Sequence, residues 1–523
     1  MKSVMTHRFS EVPDVKIPRS TFDRSHGYKT TFDAGYLIPF FIDEALPGDT
    51  FKVNCTGFAR LSTPTYPIMD NMFLETFYFA VPVRILWDNW KKFHGEQINP
   101  GDSIAYTIPI IDDINNVANQ SIYDYMGIPT QVAADLEINA LPLRAYYKIW
   151  DDWFRDENLQ NSLVPDTDDG PDAEADYELQ RRGKRHDYFT SGLPFLQKGD
   201  AVDLPLGTKA YVKGIGPDNQ TYASSTNFYE AGESAITVQG ANTVSHTGTE
   251  NIEIREDPDN SGFPDIYADL STATAATVNE VRQAFQVQRL LERDARGGTR
   301  YIEIVRSHFG VSSDDARMQR PEYLGGGMTP VNIKPIARTD SSPGALGAFG
   351  ITGFKGHGFV KSFTEHCYIL GLLSVRADLS YQEGLERMWS RQTRFDFYYP
   401  SLAHLGEQSI LNKEIYVDAA DIGSGAIDDV FAYQERFAEY RYKPSKITGK
   451  LRSNDAATLD AWHLAIEFGA TPTLDATFIE DNPPIDRVIV TPTEPHFIFD
   501  SYTQMQCTRP MPIYSVPGYV DHF

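Results

Sequence analysis

Strand-forming residues concentrate in two distant parts of the chain. Residues 51–61 (FKVNCTGFARL) and 72–81 (MFLETFYFAV) are rich in β-branched and aromatic residues and are bounded by prolines. Similar runs return late, at 359–377, 430–442 and 495–508. The two groups are separated by roughly 270 residues of different character, which is too long for a connecting loop. The pattern therefore predicts one β-sandwich whose strands come from both ends of the chain, interrupted by a large insertion.

Helical periodicity marks three segments of this insertion. Residues 83–94 and 143–156 each follow a proline and place apolar, largely aromatic side chains on one face. Residues 278–296 begin at a capping box of Thr277 and Glu280 and end at two glycines. Aromatic stripes at this spacing are typical of core packing rather than of a ligand pocket. We therefore predict a helix in each segment.

Glycine recurs at every third position from Gly344 to Gly356. The intervening positions lack proline, so the run does not indicate a collagen-like helix. We expect a close-packed, glycine-rich loop in this part of the chain.

Charge limits the classes of function that the chain can serve. It has 523 residues, 41% hydrophobic and 23% charged, with a formal net charge of −25. So acidic a chain is not expected to grip phosphates over most of its surface. The first 30 residues are an exception, with six basic and three acidic residues. The 28 tyrosines, 31 phenylalanines and 6 tryptophans favour large packed surfaces and subunit interfaces. Composition thus favours an assembly protein with local basic patches.

The sequence contains no run of eighteen apolar residues and therefore predicts no membrane-spanning segment. Residues 1–20 lack the apolar core of a signal peptide. Cys55, Cys367 and Cys507 are widely spaced and form no CxxC pair, which favours buried or free thiols in a reducing compartment. We therefore expect a protein that is made and kept in a cytoplasm.

The usual sequence signatures of catalysis are absent. The chain has no GxSxG, HExxH, GxxxxGK(S/T) or CxxC motif, so we predict no catalytic residues and no cofactor. Asp257 and Asp259 fit the first and third positions of a calcium loop, but the twelfth position, which needs a bidentate glutamate, is Ala268. The two aspartates are weak metal candidates, and a solvated acidic loop is the alternative.

The densest basic cluster is RRGKRHDYF at 181–189. Its four cations stand beside two aromatic residues, a combination that could hold the phosphates and stack the bases of a single strand. The DNA-contact candidates are therefore Arg181, Arg182, Lys184 and Arg185. The alternatives are a solvated turn and a contact to an acidic neighbouring subunit.

Prolines stiffen both ends of the chain. Pro13 and Pro18 lie near the start, and three further prolines lie in the last fourteen residues. Such segments do not form helices, and we expect extended arms. The apolar C-terminal residues should lie on their own sandwich or on a neighbour.

Several long strings are more specific than any short motif. They are DAGYLIPFFIDEALPGDTF (33–51), ETFYFAVPVRILWDNWKKFHGE (75–96), RRGKRHDYFTSGLPFLQKGD (181–200), ERDARGGTRYIEIVRSHFGV (292–311), RPEYLGGG (320–327), FTEHCYILGLLSVRADLSYQEG (363–384), PSLAHLGEQ (400–408) and the terminal VPGYVDHF. In this order they resemble the major capsid protein of gokushoviruses, which are Microviridae, small icosahedral single-stranded-DNA bacteriophages. The chief departure is 199–263, where that family has a variable insertion.

The resemblance implies a mainly β fold, an eight-stranded antiparallel viral jelly roll with long, partly helical insertions. The division of the chain that we expect is an N-terminal arm at 1–50, core strands within 51–81 and 359–510, a large insertion at 82–358 and a C-terminal arm at 511–523. Within the insertion, residues 199–263 would form a surface protrusion used in host attachment.

The resemblance also implies a T=1 icosahedral, 60-copy shell around a circular single-stranded DNA genome. The implied partners are the chain itself, the DNA, a small basic DNA-binding protein, a pilot protein, an internal scaffolding protein and a host cell-surface receptor. The protein would be a structural component of the virion, assembled in the bacterial cytoplasm, without membrane insertion and without enzymatic activity.

Two alternatives from other classes stay open at this point. One is a β-sandwich glycoside hydrolase with paired carboxylates and aromatic platforms, and the other is a carbohydrate-binding module. The absence of a signal peptide and the proline-rich arms count against the hydrolase, which would be a secreted-type enzyme. Negative-stain electron microscopy separates the three, because only the shell protein forms closed spherical particles.

Overall fold

The computed structural model describes residues 18–163, 166–200, 202, 211–213, 267–269, 278–315, 317–337 and 346–514. The chain forms two compact units. One consists of Met1–Leu196 with Thr299–Phe523, and the other is Gln197–Gly298. The metal candidates Asp257 and Asp259 and the predicted capping residue Thr277 lie outside the described residues.

Antiparallel sheets dominate the first unit. Its strands are β1 (Ser20–Asp23), β2 (His26–Phe32), β3 (Ile38–Ala45), β4 (Thr50–Leu61), β5 (Met72–Pro82), β6 (Ile110–Ile114), β7 (Leu136–Asn139), β10 (Glu322–Pro330), β11 (Asn332–Ala337), β12 (Leu346–Ser362), β13 (Cys367–Ala377), β14 (Ser380–Tyr381), β15 (Glu407–Leu411), β16 (Val430–Glu435), β17 (Ser445–Lys446) and β18 (Phe497–Arg509). The second unit contains the strand pair β8 (Tyr211–Lys213) and β9 (Tyr267–Asp269).

Two large sheets form the centre of the first unit. The larger has the order β1–β18–β4–β12–β11, with β2 also paired to β18, and the smaller has the order β10–β5–β13–β3. The other pairs are β6 with β7, β15 with β16, and the short parallel pair β14 with β17. The architecture is mainly β and antiparallel, as the sequence predicts.

Strand β18 shows how the sequence builds the sandwich. Every second residue from Phe497 to Cys507 is buried and the intervening ones are exposed, as a sheet with one solvated face requires. Its partner β4 follows the same alternation, with Leu61 opposite Phe497. The buried faces of both sheets share one hydrophobic core, in which Phe499 meets Phe40 of β3 edge-on at 6.0 Å between ring centroids. The predicted sandwich with strands from both chain ends is therefore confirmed for the runs in β4, β5, β12, β13 and β18. The predicted strand at 430–442 is wrong in part, because only Val430–Glu435 is a strand and it pairs with β15 outside the two large sheets.

The smaller sheet is covered on its outer face as well. In β13 all residues but one are buried, because Ile369 and Leu373 face the sandwich core while Leu370 and Leu372 face a second core. This second core contains the buried side of the helix Leu141–Ile149. Segments that follow β5 in sequence thus protect the outer face of the smaller sheet from water.

The helices confirm two of the three predictions. The α-helices are α1 (Trp90–Phe93), α2 (Ile122–Tyr125), α3 (Leu141–Ile149), α4 (Val278–Arg296), α5 (Tyr301–Phe309), α6 (Asn412–Ile415), α7 (Ala419–Ser424) and α8 (Ala476–Ile479). Helix α4 has the predicted bounds, and α3 continues as a π-helical turn over Trp150–Phe154. A helix throughout 83–94 is wrong. The backbone N–H of Asp88 donates to the carbonyl of Thr167 at 2.9 Å, which interrupts any continuous helix there.

Short 3-10 turns connect many of these elements. They are Val83–Ile85, Glu174–Asp176, Arg387–Ser390, Arg394–Asp396, Pro400–Leu402, Ala426–Asp428, Ala438–Tyr440, Gly449–Leu451, Asp460–Trp462 and Ile485–Arg487. Most lie between β13 and β18, which makes this part of the chain rich in loops.

The glycine-rich segment is a strand and not a loop, so that expectation is wrong. From Leu346 onward it belongs to β12, which pairs with both β11 and β4. A Cβ atom at Gly350 would lie 2.9 Å from Cβ of Leu61, and one at Gly358 would lie 2.0 Å from the carbonyl oxygen of Val53. Glycine is required here because neighbouring chain segments approach closely.

Segment limits differ from the expected division at two places. The described part of the expected N-terminal arm, from residue 18, contributes β1, β2 and β3 to the two large sheets. Strands β10 and β11 and most of β12 lie inside the expected insertion 82–358, yet they also belong to these sheets. These segments belong to the two large sheets because they pair with strands far away in sequence. The local pattern of apolar residues does not predict such pairing.

Candidate functional site: the basic cluster and the exposed aromatic surface

The four DNA-contact candidates lie together, and all of them contact acidic or aromatic groups of the chain. The guanidinium of Arg182 donates to the carboxylate of Glu75 on β5 and lies 4.7 Å from the ring centroid of Phe77. Arg185 donates to Glu75 at 3.4 Å and to Asp378 at 3.3 Å. Only 12% of the Arg182 side chain and 8% of the Glu75 side chain are exposed. Glu75 is therefore the buried counter-ion of the cluster.

Arg181 and Lys184 anchor the same segment to other parts of the unit. Arg181 lies 4.0 Å above the ring of Tyr36 and donates to the carbonyl of Asp481 at 3.1 Å. The ammonium of Lys184 donates to the carbonyl of Phe478, and burial lowers the pKa of this lysine. All four cations thus have partners within the chain. Contact with DNA by this cluster stays a prediction.

Two further charged residues complete the cluster. Arg376 of β13 donates to Glu75 at 3.2 Å, and the backbone N–H of Asp481 donates to the carbonyl of Arg182 at 2.7 Å. Burial raises the pKa of Asp481 to about 6, although the charges of Arg376 and Lys184 oppose the shift. Sequence reasoning missed Glu75, Arg376 and Asp481, because each is far from residue 181 in sequence and no motif joins them.

A second candidate surface is formed by residues 387–402, which run through three 3-10 turns. Its large apolar side chains point to solvent rather than into a core. We define the aromatic surface as Trp389, Phe395, Phe397, Tyr398 and Tyr399. Trp389 is 68% exposed and Phe395 is 69% exposed. Large apolar side chains exposed together within one short segment are typical of protein–protein contact sites.

A cavity of about 220 Å³ opens beside the aromatic surface. Its inner wall includes the buried rings of Tyr188, Phe189 and Tyr381, and its mouth includes Tyr440, Tyr442, Lys443 and Lys446. We call it the tyrosine–lysine pocket. Sequence reasoning missed it, although the interleaved run EYRYKPSK at 439–446 carries the same combination of cations and rings as the 181–189 segment.

The thiols of the chain are enclosed in the sandwich core. Cys55, Cys367 and Cys507 are free and buried, and burial raises the pKa of the Cys367 thiol to about 12. Within the described ranges, no three His, Cys, Asp or Glu side chains lie close enough to hold a metal ion. The helices that the structure describes include none with the length and apolar character needed to cross a membrane.

The described residues thus form a two-sheet antiparallel sandwich with an exposed aromatic surface and three thiols in its core. Residues 10–519 match the sequence model of the family described as Capsid protein (F protein). The capsid protein VP1 of Bdellovibrio phage phiMH2K is 48% identical over 99% of this chain and 98% of the relative. VP1 of Chlamydia phage 1 is 44% identical over 99% and 98%, and VP1 of Spiroplasma virus 4 is 34% identical over 98% and 97%.

The chain therefore belongs to this family of bacteriophage capsid proteins, and the resemblance to the gokushovirus major capsid protein is confirmed. Its role is structural rather than enzymatic, and its place is the virion. As a phage capsid protein it assembles with copies of itself into a shell.

Proposed function

We propose that this chain forms a T=1 icosahedral, 60-copy shell that encloses a circular single-stranded DNA genome, after assembly in the bacterial cytoplasm. The observation that carries the proposal is the aromatic surface. Exposing Trp389 and Phe395 to water costs free energy that burial between subunits would recover, at about 25 cal/mol per Å² of apolar area. In a closed symmetric shell every copy buries this surface against a neighbouring subunit.

The fold of the shell subunit is, on this proposal, the eight-stranded jelly roll. β1 and β2 pair with successive parts of β18 and count as one interrupted edge strand. β11 pairs with the first part of β12 and counts as an addition. Four strands then remain in each sheet, which is the number that a jelly roll needs. The residues 511–523 serve as an arm that reaches a neighbouring subunit.

The charge of the subunit supports a need for basic partners in packaging. A chain of −25 repels DNA, in which every nucleotide adds another negative charge. We therefore propose a small basic DNA-binding protein as a partner inside the shell. A pilot protein and an internal scaffolding protein are proposed from the family resemblance, as is attachment to a host cell-surface receptor.

The aromatic surface gives the first test of the shell. The double variant Trp389→Ser/Phe395→Ser should leave a folded subunit that yields no closed particles in negative-stain electron microscopy, because the buried contact is lost. Ile98→Ser, which changes an exposed residue elsewhere, is the matched control and should assemble. Normal particles from the double variant would contradict the proposed contact, and the same assay on a chain ending at residue 510 tests the arm.

Receptor attachment is assigned to residues 199–263, the proposed protrusion. Large hydrophobic residues are scarce there, and exposed loops on a rigid scaffold usually carry recognition. Replacing 205–258 with a short Gly-Ser linker should give particles that assemble but adsorb poorly to host cells. Adsorption at the normal rate would remove the receptor role, and loss of particles would make the segment structural instead.

A further inference from the structure

The backbone of residues 438–446 holds two tyrosines and two lysines at the surface. The 3-10 turn Ala438–Tyr440 is followed by two N–H groups, of Arg441 and Tyr442, that donate to the carbonyl of Ala438 at 2.8 and 2.9 Å. Ser445–Lys446 then pairs with β14 as β17. Because β14 carries the buried ring of Tyr381, the run 438–446 is fixed to a packed core at this parallel pair.

Positive charge is in excess at the mouth of the tyrosine–lysine pocket. The carboxylate of Glu386 accepts both lysines, with Lys446 at 2.6 Å and Lys443 at 3.6 Å, so one negative charge serves two positive ones. The side chain of Lys443 is 76% exposed. Arg452 also lines the cavity and has no ion-pair partner among the described residues. The pocket is thus locally cationic on a chain whose net charge is −25.

Aromatic rings surround these cations. Tyr440 and Tyr442 are half-exposed, and the guanidinium of Arg391 lies 4.4 Å from the ring centroid of Tyr440. An exposed ring beside a lysine offers a face for a nucleobase and a charge for the adjoining phosphate. Both groups stand at the entrance of a cavity of about 220 Å³ that is walled by further aromatic side chains.

We propose that the tyrosine–lysine pocket is a binding site for single-stranded nucleic acid, with phosphates at Lys443, Lys446 and Arg452 and bases stacked on Tyr440 and Tyr442. The inference rests on the proposed enclosure of a genome and names the surface that meets it. The proposed DNA contact therefore lies at 440–452 and not at 181–185, where the cations are paired within the chain.

A neighbouring protein subunit is the competing occupant, and composition argues against it. Lysine is depleted at protein–protein interfaces, whereas tryptophan, phenylalanine, tyrosine, methionine and arginine are enriched. The adjacent aromatic surface, with Arg391 and Arg394 among its rings, has the composition of a protein contact. The pocket mouth, with two lysines on a single carboxylate, has the composition of a phosphate site.

The test is fluorescence anisotropy of unassembled full-length subunits with a labelled oligodeoxythymidylate of about 16 nucleotides across a salt series. Lys443→Ser/Lys446→Ser should weaken binding at least tenfold at low salt and lower the slope of log affinity against log salt by about 1.4, for two lost phosphate contacts. Tyr442→Leu should weaken binding about tenfold through lost stacking. Lys443→Arg/Lys446→Arg keeps the charges and should bind as the unmodified protein does.

The control is Lys52→Ser/Lys355→Ser, which removes two exposed lysines from the solvated face of the larger sheet. It should change affinity by less than twofold. Undiminished binding by the pocket variant, or an equal loss in the control, would overturn the site. Normal DNA affinity together with failure to form particles would assign the pocket to a protein contact. If the unmodified subunit binds no DNA yet forms closed particles, the site is refuted while the shell function stands.

Discussion

Two segments of this chain look alike in sequence and serve different purposes in the fold. RRGKRHDYF at 181–189 and EYRYKPSK at 439–446 both interleave cations with aromatic residues. In the first, the charges of Arg182 and Arg185 converge on the buried carboxylate of Glu75. In the second, the ammonium of Lys443 is largely in water. The density of positive charge therefore does not distinguish an internal anchor from a binding surface.

The difference comes from what each segment is packed against. Segment 181–189 runs beside the ends of β5 and β13, whose polar side chains at this edge include Glu75 and Arg376. Once these charges are removed from water, each must be paired, because an unpaired buried charge is strongly destabilising. Segment 439–446 lies on a small core with a solvated outer side, so its lysines stay available to an external phosphate.

The largest effect should come from removing the counter-ion of the first segment. Glu75→Gln leaves Arg182, Arg185 and Arg376 without the carboxylate that they share, and we expect the free energy of unfolding to fall by about 3–5 kcal/mol. Urea unfolding of the unassembled subunit measures the change. Glu386→Gln, which removes the more exposed carboxylate beside the two pocket lysines, is the matched control and should cost less than about 1 kcal/mol. An equal fall in the free energy of unfolding of the two variants would contradict the view that only the first segment depends on a buried counter-ion.

A smaller effect, dependent on pH, should come from Asp481 in the same cluster. Burial raises its pKa from 3.8 to about 6. Between these values the folded protein holds a proton that the unfolded chain has released, so this residue makes stability fall as pH rises from about 4 to 6. Above pH 6 its ionised form costs the folded state up to about 3 kcal/mol.

The variant Asp481→Asn lacks this titration. Its free energy of unfolding should therefore rise relative to that of the unmodified protein as pH increases from 4 to 6, and the difference should be constant above about pH 7. Chemical unfolding across this pH range measures the difference. Parallel stability curves would show that the Asp481 carboxyl is not perturbed by burial.

The local pattern of apolar and polar residues was enough to predict several strands and one helix. β4, β5 and β18 alternate or run apolar as strands do, and α4 ends where its glycines are. The same patterns missed the sheet roles of residues 20–45, which depend on pairing with β18 and β13. Non-local contacts were likewise needed for the site. No residue near Arg182 in sequence indicates that Glu75 is its partner. The interleaved tyrosines and lysines of 439–446, in contrast, are visible in the sequence, although the basic run at 181–189 is denser.

One measurement tests the central claim most directly, namely a cryo-electron microscopy reconstruction of DNA-filled particles. It should show a closed 60-copy shell in which the aromatic surface around Trp389 and Phe395 is buried between subunits. Density for nucleic acid should lie against Lys443, Lys446 and Tyr442, and none should enter the cluster around Glu75. The account would be contradicted by particles whose aromatic surface faces solvent, or whose tyrosine–lysine pocket lies on the outside or is filled by a neighbouring subunit.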